Sequence, residues 1–62
     1  MTDQENQALA ALTGLLEMMD ASDWHLVHQT VRQDVSVGKY TREFETAYKA
    51  MVDAKLSADQ SH

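Results

Sequence analysis

At 62 residues the chain holds one domain at most. A domain that size buries only about 60% of its unfolded surface, so its stability must come from tight packing or from a partner. It has no cysteine, which excludes disulfides and thiolate metal sites, and with no proline and only two glycines it lacks the turn punctuation of a β fold. The net charge of −5 is lopsided: residues 1–22 carry four acidic and no basic side chains, whereas residues 23–62 carry five basic and six acidic ones. That balance repels phosphate backbones and anionic lipid and suits a basic protein surface.

The first predicted helix spans 3–20. Thr2-Asp3-Gln4-Glu5 fits a capping box, and Asp3 and Glu5 oppose the positive end of the helix dipole. Leu9, Leu12, Leu16 and Met19 recur at spacings of three, four and three. Ala8, Ala11, Leu15 and Met18 widen that seam to an apolar arc of about 180°, where one packed neighbour needs only about 100°. The stretch Leu9–Met19 is therefore expected to be the helix against which the chain folds, with surface left for a second neighbour. Gly14 falls on the polar side, where it costs about 1 kcal/mol relative to alanine.

Asp20-Ala21-Ser22-Asp23 is the first break, and Asp20 and Ser22 are N-cap candidates. The short connection predicts an antiparallel hairpin. The second helix, 23–35, puts Trp24, Val27, Val31 and Val35 on one face, with Trp24 as the anchor against Leu12, Leu16 or Met19. Leu26 points the other way. Gly38 is expected to end the next turn in a left-handed conformation. Thr41 caps a third helix, 41–57, with Phe44, Ala47, Tyr48, Met51 and Ala54 as its apolar face, extended by Val52 and Leu56. Residues 58–62 read as a frayed tail. The fold class is all-α: a small three-helix bundle, an antiparallel hairpin plus a third helix, forming a homodimer through its surplus apolar face.

Chemistry-bearing constellations are few. His25 and His28 stand at i,i+3, but no third or fourth ligand completes a zinc site, and DWHLVH departs from HExxH in both spacing and acid. His28 is instead expected to be a core-edge histidine with one hydrogen-bond partner. There is no nucleophilic set, and 62 residues leave little room for a concave substrate pocket, so no enzyme and no cofactor is expected. A helix-turn-helix DNA-binding repressor is the alternative, resting on Arg32, Lys39, Arg42 and Lys49. Glu45, Thr46 and Asp53 interrupt that basic stripe, and nucleic acid is not an expected partner.

The functional expectation is a small acidic protein-binding regulator or inhibitor that covers a surface of a partner protein, in the manner of a phage- or plasmid-type accessory protein. Its contact residues are Ala11, Leu15, Met18 and Leu26, with Tyr40 at the edge. MTDQENQ is no secretory leader and no apolar run approaches the ~20 residues of a membrane span, so no membrane association is expected and the expected location is the cytoplasm.

Overall fold

The computed structural model describes residues 1–60, with side chains through residue 58. The chain runs α1 (Asp3–Met18), a single 3-10 turn (Ala21–Asp23), α2 (Trp24–Ser36) and α3 (Arg42–Gln60), with no strand among the described residues. Helix α3 continues through residues 58–60, where a frayed tail was expected; residues 61–62 lie outside the described residues.

Local chemistry accounts for most of the boundaries. The Thr2 hydroxyl accepts the Glu5 amide at 3.1 Å and a Glu5 carboxylate oxygen accepts the Thr2 amide at 3.1 Å, so the expected capping box forms. Gly38 takes φ +85 and closes α2 in a Schellman turn: Lys39 N–H donates to the Asp34 carbonyl at 2.9 Å, and Gly38 N–H to that of Val35 at 3.1 Å. Thr41 caps α3 by accepting the Phe44 amide at 3.3 Å. The break between α1 and α2 departs from expectation. Asp20 makes no side-chain cap bond and Ser22 lies inside the 3-10 turn rather than at a cap; Asp23, which precedes α2, does not cap with its side chain either, and His25 Nδ1 meets the Ser22 carbonyl at 2.9 Å.

The second Glu5 carboxylate oxygen accepts both the Thr41 hydroxyl (2.7 Å) and the Thr41 amide (3.0 Å). One buried carboxylate thus joins the starts of α1 and α3, and Lys55 Nζ to Glu17 at 2.8 Å ties the two helices again further along. Helices α1 and α3 therefore run parallel. Helix α2 returns against them, with the Trp24 indole N–H donating to the Leu16 carbonyl at 3.0 Å.

The expected hairpin is thereby revised. Helices α1 and α2 meet at their shared turn, but both pack principally on α3. The buried core is Leu16, Trp24, Val27, Val31, Phe44, Tyr48 and Val52. Helix α3 supplies three of these at i, i+4 and i+8, whereas α1 supplies Leu16 alone, with Leu9, Leu12 and Met19 half-buried against the cluster. The organising helix is α3 rather than α1. Each fully buried side chain of this kind contributes about 1.5–3 kcal/mol, and Leu16 and Phe44 are completely enclosed. On α3, Val52 takes the core position and Ala54 faces outward, because a 3.6-residue repeat carries the Phe44–Tyr48 line to 52.

Candidate docking surfaces

The rotation of α1 about its axis decides what the molecule shows to solvent. Glu5 and Leu16 are eleven residues apart, about three full turns, so they lie on one line along the helix. Both are buried, Glu5 by its bonds to Thr41 and Leu16 in the core. With that line fixed inward, Leu15 points about 100° away from Leu16 and Met18 about 160° away. Leu16 is 0% exposed, its neighbour Leu15 45% and Met18 87%. Ala11 is also exposed on the same stripe.

The clasp is also an electrostatic device. Four hydrogen bonds from Thr2 and Thr41 stabilise the charged carboxylate, those of Thr41 most strongly, and bring the Glu5 pKa from its ordinary 4.5 down to about 2. Beside it the Met1 ammonium pairs with Glu43, whose hydrogen bond and charge raise the pKa of the amine above its ordinary value.

Leu26, the third residue of α2, is 54% exposed and lies toward the same end of the molecule as Leu15 and Met18. Tyr40 does not join them. It precedes α3 at the opposite end, half-buried, with its ring stacked on Phe44 at 4.4 Å and Lys39 Nζ 5.5 Å from its centroid. Its ring packs over the core residue Phe44 and stays partly exposed. Gly14 has nothing within 4 Å of where a Cβ would stand, so no second backbone passes close to it.

A second surface was not foreseen. Helices α2 and α3 border an open groove of about 350 Å³ with Val31, Tyr48, Val52 and Leu56 along it and Arg32, Glu45, Lys49 and Asp53 at its rim. Tyr48 Oη and His28 Nδ1 meet across it at 2.6 Å, with the rings edge-on at 5.6 Å, and burial pushes the Tyr48 phenol above its usual pKa. His28 is the half-buried, singly bonded histidine the sequence suggests, but its partner lies on α3. That bond ties α2 to α3, whereas the sequence reading puts His28 in the α1–α2 hairpin. No local pattern joins residues 28 and 48, which meet only through the packing of two helices.

Of the four basic residues considered for DNA, the groove brings together Arg32 and Lys49, each interleaved with the carboxylates of Glu45 and Asp53. Lys39 turns back over Tyr40, and Arg42 is exposed at the first residue of α3. His25 and His28 diverge, one to the Ser22 carbonyl and the other to Tyr48, and among the described residues no three His, Asp or Glu side chains are grouped to hold a metal ion. No helix among the described residues is long and apolar enough to cross a membrane. No protein-family model matches the chain, and neither a curated protein nor a solved structure matches it.

Proposed function

We propose that this chain is a small acidic binding module that regulates or inhibits a partner protein by covering part of its surface with the outer face of α1. The observation that supports this is the fate of adjacent residues on that helix: Leu16 completes the core, while Leu15 and Met18 stay in water at 45% and 87% exposure. Scattered exposed leucines are ordinary, but two large apolar side chains at i,i+3, continued by Ala11, make a stripe. A methionine at its most exposed point suits an adaptable contact. On this reading the module is a three-helix bundle that acts by binding rather than by catalysis.

The same stripe is where a second copy would pair. Sedimentation velocity separates the two: a homodimer seamed there dissociates on Leu15→Glu. For a heterologous partner, proteins retained from the native host by the unaltered chain are compared with those retained by Leu15→Gln/Met18→Gln. A protein held by the first and lost by the second supports the reading, and identical sets overturn it.

A further inference from the structure

We infer that the occupant of the docking face is a second copy of this chain, and that the face takes in α2 as well as α1; this rests on the docking reading above and names its partner. Two contacts with α3 fix which way the first two helices look. Glu17 meets Lys55 on one flank of α1, and Leu15, two residues earlier, points about 160° away. His28 meets Tyr48 on one flank of α2, and Leu26, two residues earlier, again points about 160° away. Both leucines thus lie on the side turned from α3, each within a turn of the shared α1–α2 connection, at 45% and 54% exposure.

On α1 the exposed line continues through Ala11 and Met18. On α2, Gln29, Thr30 and Gln33 follow Leu26 at i+3, i+4 and i+7, and all are exposed. The Thr30 hydroxyl is spent inside the helix, donating to the Leu26 carbonyl at 3.2 Å. The chain carries ten acidic and five basic side chains, and none stands on these two lines.

A charge-free face on a chain of net charge −5 selects its occupant. Two copies repel wherever they present like charge, and this face brings none together. A basic partner would find no carboxylate here to pair with. Geometry favours the same occupant. A two-fold axis running along the helix pair lays α1 of one copy on α2 of the other, and Leu15 of each copy then meets Leu26 of the other near the turn. A stable interface covers about 800 Å² on each copy, less than a fifth of the molecule's 4467 Å² surface, and two adjacent helices supply width that α1 alone lacks.

The test is sedimentation velocity of the full chain over rising concentration, at low and high salt. A monomer–dimer equilibrium is expected, and it should tighten as salt rises, because salt screens the repulsion between two acidic copies. Leu15→Gln/Met18→Gln on α1 and Leu26→Gln on α2 should each weaken the dimer about tenfold or more. Gln29→Glu, a near-isosteric change at an exposed position, should separate the copies as well by setting like charges face to face. Far-UV circular dichroism verifies that each variant is folded. A dimer that loosens as salt rises overturns the inference, since opposite charges then hold the seam. A dimer indifferent to Leu26→Gln and Gln29→Glu overturns the two-helix face, and one indifferent to every variant places the seam elsewhere. A chain that stays monomeric up to about 1 mM overturns the inference alone. The docking reading then rests on whether the native host holds a protein that Leu15→Gln/Met18→Gln loses.

Discussion

The two ends of this molecule are held by different chemistry. Where α1 and α3 begin, the fastening is mainly polar: Glu5 takes four hydrogen bonds and Met1 pairs with Glu43, with the Tyr40 ring stacked on Phe44 beside them. Where α1 turns into α2, the fastening is a buried indole donating to one carbonyl, with Glu17–Lys55 alongside, and Leu15, Met18 and Leu26 face solvent. The clasp end exposes apolar side chains too, Val37 at 71% and Met1 at 42%, but in a turn and before the first helix rather than along one helix face. An apolar end fastened from one side still has surface to bury, and that is where a docking face should be sought.

The comparison can be broken most severely at Trp24. Trp24→Ala removes a buried ring and the bond to Leu16, a loss of about 3–5 kcal/mol, comparable to all that a core this small supplies. The expected outcome is an unfolded chain by circular dichroism. A folded variant would mean that the turn end does not need its indole.

The clasp end is probed by pH. Because the folded Glu5 has its pKa lowered to about 2 from 4.5, its contribution is fully present above about pH 4.5 and is lost as pH falls toward about 2. Glu5→Gln should melt lower than the native chain at pH 7, and the gap should close across that window. A gap independent of pH would show that the carboxylate charge is not what binds Thr41.

The smallest expected effect is a gain. Gly14→Ala adds a methyl into open space on a regular helix and should stabilise the fold by about 0.5–1 kcal/mol in denaturant titration. A loss would reveal a contact at the turn end that the packing does not show.

Legibility in the sequence followed range. The Thr2 box, the Gly38 turn and the Thr41 cap are local chemistry, set by three or four neighbouring residues, and each forms as read. The apolar content of α1 was legible too, but not its burial. Nine apolar residues between positions 8 and 19 suggest the central helix, yet only Leu16 is enclosed. What turns that face inward is Glu5 reaching Thr41, 36 residues away, a polar contact with no signature in hydrophobic periodicity. The groove escaped for the same reason. His28 and Tyr48 each read correctly alone, and only the packing of α2 on α3 makes them partners.

Trp24 is the sole tryptophan, and both tyrosines lie away from the α1–α2 turn, Tyr40 beside Phe44 and Tyr48 across from His28. Nature has thus placed separate optical labels in different parts of a very small object. Indole emission watches the turn let go, near-ultraviolet tyrosine signals watch the rest, and one melting experiment can ask whether the molecule comes apart in a single step.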